Sequence, residues 1–171
     1  ELVPTATMVS VLVNFMTDPY ADESVKEVQA AGRAGGQEIQ IVNVRSERDF
    51  DSAFAEIRKK RSGALLVDSA PFLVGRRAQV VALAAKHALP ACYAFPEFVD
   101  AGGLMSYGVN LAEVYRQAGV YAGRILKGAK PADLPVLQPT VFELTLNLKT
   151  AKALGITIPP SILARVDRAI E

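Results

Sequence analysis

The chain has 171 residues, half of them apolar and 22% charged, and 19 basic against 18 acidic side chains leave a formal charge of +1. That length suits one domain with a real core, while the charge balance gives no electrostatic case for nucleic acid or an anionic membrane. No apolar run approaches the ~18 residues of a membrane span, and the lone Cys92 excludes an internal disulfide and a metal–thiolate cluster. The chain begins at Glu1 with neither methionine nor signal sequence, which is expected of a segment cut from something longer.

Residues 7–14 (TMVSVLVN) form a short valine-rich run that predicts a buried strand. Asp18-Pro19 breaks it, and Asp22 is placed to cap a helix that stops at Gly35. A second strand is expected over 38–44. Ser46 and Asp49 have capping-box spacing, after which Phe50, Ala53, Phe54 and Ile57 recur on one helical face. Residues 64–67 read as a third strand, 73–88 as one helix and 90–95 as a fourth strand. The alternation predicts an α/β fold, a Rossmann-like or flavodoxin-like parallel sheet flanked by helices with right-handed crossovers. Beyond Phe98 the pattern loosens. A short strand at 104–107 precedes a helix striped by Leu111, Val114, Ala118, Tyr121, Ala122 and Ile125, which ends at Gly128. Residues 129–139, with three prolines, read as an extended linker. Phe142, Leu144, Leu146 and Leu148 then alternate with polar residues, the pattern of a strand at a sheet edge, and two short helical pieces finish the chain.

Catalytic signals are weak. The GRAGG run at 32–36 ends a helix instead of opening one after a strand, so it is a stop signal and not a dinucleotide loop. His87, the one histidine, has no partner at metal or base spacing and reads as a helix-end residue. Cys92 lies in an apolar strand and reads as a small core residue. The basic run 58–61 suits a helix C-terminus, where cations offset the macrodipole. No enzyme, metal or cofactor is expected.

An open parallel sheet receives ligands beyond the carboxyl ends of its strands. Four predicted loops share that edge. They carry Asn14, Phe15 and Tyr20; Arg45 and Ser46; Asp68, Ser69 and Phe72; and Phe95, Glu97 and Phe98. Aromatic area beside a few polar anchors is what a small-molecule pocket uses. Phe72 and Phe98 are equally compatible with the core.

From Gly102 onward, the stretches LMSYG, GRILKG, ADLPVLQPT and FELTLNLKTAKALGITIPPSILAR resemble the C-terminal end of ABC transporter substrate-binding proteins of the tryptophan/tyrosine type. SERDFDSAF, GALLV, ALAAKHALPACY and EFVDAGGLMSYG match the second lobe of that family in style. The resemblance implies one lobe of a receptor similar to type I periplasmic binding proteins, in which two Rossmann-like lobes hinge over a solute and present it to an inner-membrane permease. On that basis residues 1–104 are the second lobe. Residues 105–128 are a hinge crossing with a helix for the absent first lobe, and 129–171 return to the second lobe. Asn14, Asp68, Ser69, Phe95, Glu97 and Tyr107 would face the cleft by position. Asp68 or Glu97 would hold an ammonium group. Arg45 or the N–H groups near Ser69 and Phe72 would hold a carboxylate, and Phe15, Tyr20 or Phe95 would stack on a ring. The solute is expected to be amino-acid-like and the location periplasmic or extracytoplasmic and membrane-tethered. Without the first lobe, a homodimer through residues 111–127 is expected. Two rivals remain: a ligand-sensing domain of a regulator or signalling receptor, and an α/β enzyme that a bound flavin or nucleotide would reveal.

Overall fold

A computed structural model describes residues 2–171. Strands β1 (Met8–Val13), β2 (Glu38–Asn43), β3 (Ala64–Val67), β4 (Ala91–Tyr93) and β5 (Met105–Val109) run parallel. Beside them β6 (Phe142–Asn147) is antiparallel to β5, and β7 (Arg168–Ile170) is parallel to β6. The strand order is β2-β1-β3-β4-β5-β6-β7. The chain therefore steps one way from β1 and then reverses, so the turn of direction falls between β1 and β3.

The helices are α1 (Ala21–Ala34), α2 (Phe50–Lys59), α3 (Pro71–Gly75), α4 (Arg77–Lys86), α5 (Pro96–Asp100), α6 (Leu111–Leu126), α7 (Leu148–Ala153) and α8 (Pro160–Leu163). The main core joins Leu12, Val42, Leu65, Val67, Ala91 and Tyr93 on one sheet face to Phe50, Phe54 and Ile57 of α2 and Val80 and Ala84 of α4. Phe50 and Phe54 are fully buried, as their spacing predicts. A smaller cluster of Leu104, Leu146 and Ala151 collects the tail residues Ile156, Ile158 and Val166.

Several expectations change. The helix expected over 73–88 is two helices, because Arg76 leaves helical backbone (φ −109°, ψ 18°) directly after Gly75. Asp22 does not cap α1; it sits in the first turn, Tyr20 holds the cap position, and Asp18 Oδ1 accepts from the Tyr20 amide. The capping box of Ser46 and Asp49 is present, opening a 3-10 turn ahead of α2. Residues 142–147 are not an edge strand, since β7 lies outside them, and their polar face is buried at Thr145 and Asn147. The chain ends in a strand where helix was expected, and α5 was not anticipated. The proline-rich linker is extended apart from a 3-10 turn at Pro131–Asp133.

Helix α4 closes with a Schellman arrangement whose left-handed residue is not glycine. Leu89 N donates to Ala84 O at 2.9 Å, Ala88 N donates to Ala85 O at 3.0 Å, and Ala88 has φ 49°. A left-handed alanine costs about 1–2 kcal/mol, which glycine avoids while giving back about 0.5–1 kcal/mol of unfolded-chain entropy. Ala88→Gly is therefore expected to raise stability by about 0.5–1 kcal/mol, read as a higher urea midpoint at unchanged slope. A lower midpoint would contradict the account.

Candidate functional site

Because β1 to β5 are parallel, the ten side chains expected to meet a ligand fall along one carboxyl edge of the sheet. In strand order they run from Arg45 after β2, through Asn14, Phe15 and Tyr20 after β1 and Asp68, Ser69 and Phe72 after β3, to Phe95 and Glu97 after β4 and Tyr107 near the end of β5. The loops after β1 and β3 flank the point where strand order reverses, the usual place for a ligand crevice in such sheets.

Asn14 braces these loops. It is buried, its Nδ2 donates to Val44 O at 2.7 Å, and its Oδ1 accepts from both the amide and the hydroxyl of Thr17 at 2.8 Å. Thr17 Oγ1 in turn accepts from Phe72 N at 3.4 Å. One chain of hydrogen bonds thus ties the ends of β1, β2 and β3 together. Phe72 lies against the core, its ring stacked on Phe50 at 5.7 Å. Phe15 and Tyr20 remain out in solvent, 39% and 70% exposed.

Asp68 is the most unusual group on the edge. Its Oδ1 accepts from the Ser69 amide at 2.7 Å, whereas Oδ2 is buried without a hydrogen-bond partner. Burial raises the pKa of the carboxyl, and the adjacent Asp18 carboxyl raises it further. Two ionised carboxylates only accept, so they cannot satisfy each other; the orphan oxygen is paired when a proton bridges to Asp18 or a cation enters. Asp18 was read in the sequence only as the partner of Pro19 in a strand break.

The amides expected to hold a carboxylate are already engaged within the chain, Ser69 N by Asp68 and Phe72 N by Thr17. Arg45 and Ser46 likewise donate their backbone amides to Asp49 Oδ2, at 2.8 Å each, and those two bonds lower the Asp49 pKa. The Arg45 guanidinium stays exposed nearby. Further along the edge, exposed Glu97 lines a cavity of about 160 Å³ with Ala94, Gly108, Asn110 and Glu143. Tyr107, half exposed, stacks on Phe142 at 5.7 Å, and Phe95 packs partly into the main core.

The remaining candidate groups are structural. Burial pushes the Cys92 thiol up to about 11, which leaves it un-ionised at neutral pH. His87 closes α4 and stacks on Phe54 at 5.7 Å, and burial lowers its pKa. Among the described residues no cluster of His, Cys, Asp or Glu could hold a metal ion, and no helix is long and apolar enough to cross a membrane.

The chain is a mostly parallel α/β sheet flanked by helices, with polar and aromatic side chains ranged along the carboxyl edge of its strands. The chain belongs to the ABC transporter substrate binding protein family, whose profile matches residues 1–170. It is similar to the ABC domain from Streptococcus pneumoniae solved in complex with L-Trp, at 25% identity and a TM-score of 0.88, covering 99% of this chain and 57% of that one. A conserved domain protein from Vibrio cholerae superposes with the same TM-score of 0.88 at 23% identity, covering 99% of this chain and 56% of that one. CD0873 of Clostridium difficile, a substrate binding protein with adhesive properties in its ligand-free, open form, gives 0.75 at 19% identity, covering 99% and 56%. The chain thus spans little more than half the length of these structures. No curated protein sequence matches it significantly.

Proposed function

We propose that this chain is the second lobe of the solute receptor of an ABC importer, and that it binds a small amino-acid-like solute without transforming it. The solute sits on the carboxyl edge of the sheet, and closure of a first lobe over it forms the cleft. The closed receptor then delivers the solute to an inner-membrane permease from the extracytoplasmic side. The family membership supports the class, and the L-Trp held by the pneumococcal structure supports an amino-acid-like ligand.

The observation that carries the chemistry is the buried, unpaired Oδ2 of Asp68 beside Asp18. An ammonium group satisfies that oxygen and relieves the repulsion between the two carboxylates. The exposed Arg45 guanidinium is placed to hold a carboxylate, and Phe15, Tyr20 and Tyr107 offer ring surface. Asn14 holds these loops in place through its bonds to Val44 and Thr17. The division of labour along the chain follows. Residues 1–104 form the lobe, 105–128 the crossing and the helix for the first lobe, and 129–171 the return. The excursion between β5 and β6 supports this, because it leaves and re-enters at the binding edge, where Asn110 N donates to Val141 O at 3.0 Å.

The test is calorimetry of L-tryptophan and other amino acids on the two-lobed receptor. Asp68→Ala is expected to weaken binding at least tenfold, about 1.4 kcal/mol. Affinity in the unmodified receptor is expected to fall with decreasing pH, because the raised Asp68 pKa lets protons compete with the ammonium group there. Unchanged affinity in Asp68→Ala would remove Asp68 from the site. Absence of amino-acid binding by the unmodified receptor would remove the reading itself.

A further inference from the structure

We infer that Asn110 is the joint that aims the arm formed by residues 110–141, and that it does so through a side-chain bond to Glu143. Three hydrogen bonds from this one residue reach three separate places. Its Oδ1 accepts from Glu113 N at 3.0 Å and caps α6. Its Nδ2 donates to Glu143 Oε2 on β6 at 3.1 Å, and its backbone amide donates to Val141 O at 3.0 Å, where the arm returns. The first bond belongs to the helix and the other two to the sheet edge, so the residue fixes the direction of α6 relative to the strands.

In most α/β folds such a bond would matter little, because packing sets where a helix lies. Here packing is missing. No residue of α6 is buried, and Tyr115, Val120, Ile125 and Leu126 are exposed. Its return segment runs back along it, held where Tyr121 donates its hydroxyl to Pro135 O at 2.6 Å. Helix and return segment leave and rejoin the sheet together, where β5 ends and β6 begins. The Tyr107–Phe142 stack lies beside that junction. Glu143 is itself steadied by Thr145 Oγ1, which donates to Oε1 at 3.4 Å. The importance of this joint for solute capture rests on the hinge reading above; its existence does not.

The joint can be tested in this chain without any solute. Spin labels at Arg124→Cys on α6 and Lys59→Cys on α2, in a Cys92→Ala background, report the arm's direction as a distance distribution. Asn110→Asp keeps an oxygen for the cap but sets a carboxylate against Glu143. It is expected to broaden or shift the distribution while α6 keeps its amide protection. Glu143→Gln keeps an acceptor and is expected to leave the distribution narrow. The double variant Asn110→Asp/Glu143→Gln restores the bond with donor and acceptor exchanged, and is expected to narrow it again. Glu143→Ala gives the same loosening should Asn110→Asp fold poorly. A distribution unchanged by both Asn110→Asp and Glu143→Ala overturns the proposal. So does an Asp/Gln pair no narrower than Asn110→Asp alone. A working joint in a receptor that binds no amino acid would count against the solute reading only.

Discussion

Phe54→Ala is expected to cost about 3–5 kcal/mol of folding stability, the range for removing a fully buried phenyl ring. The ring is wholly shielded from solvent and stands on α2 between Phe50 and Ile57, in one cluster with Leu65 and Val67 of the interior strand β3. Strands hydrogen-bonded on both sides cannot move in to fill a void, so the cavity term stays near its full size. The ring also supports His87, stacked on it at 5.7 Å with a buried Nδ1 that has no partner. Domains of this size have only about 5–15 kcal/mol to lose, so the variant should approach global unfolding at modest temperature. Urea denaturation followed by circular dichroism measures the loss, and a change under about 1.5 kcal/mol would mean that the site collapses far better than the packing suggests.

Burial of this kind was legible because it is written in periodicity. The Val- and Leu-rich runs of β1 and β3 and the one-sided face of α2 need only local counting, and the resulting parallel sheet places the loops of the edge. The misses share a physical cause. Strand β6 alternates like an edge strand, yet its polar positions are buried and used: Asn147 Oδ1 accepts from Thr150 N at 3.0 Å and Thr145 bonds Glu143. A polar residue satisfied by a partner only a few positions away has the same letter as one facing water. Strand β7 is three residues long and is a strand only because β6 lies beside it. The edge shows the same limit. Asn14 was visible as a polar residue at a strand end, but nothing local says that its side chain is consumed by Val44 and Thr17. The role of Asp18 depends on meeting Asp68 across fifty residues of chain, and only the folded chain brings the two carboxyls together.

Gly108→Ala is expected to destabilise the fold by about 2–3 kcal/mol, the upper part of the range for overpacking. A Cβ at this position of β5 would stand 2.1 Å from Ala94 O and 3.2 Å from Ala94 C. Those are backbone atoms, so no side chain can swing aside, and one of the two strands' ends has to shift. Ala94 leads directly into Phe95, which packs on the main core, so the β4 side is the stiffer of the two. The displacement therefore passes into β5 and on to Asn110, two residues away, where it moves the root of the arm. The natural control is Gly119→Ala in the exposed middle of α6, where a Cβ meets nothing within 4 Å. There the same substitution is expected to stabilise by about 0.5–1 kcal/mol, because glycine is the poorer helix former. Thermal denaturation of both variants separates the cases. Equal and small effects would mean that β5 yields freely at its end, and the close approach of Gly108 to Ala94 would then play no part in fixing where the arm departs.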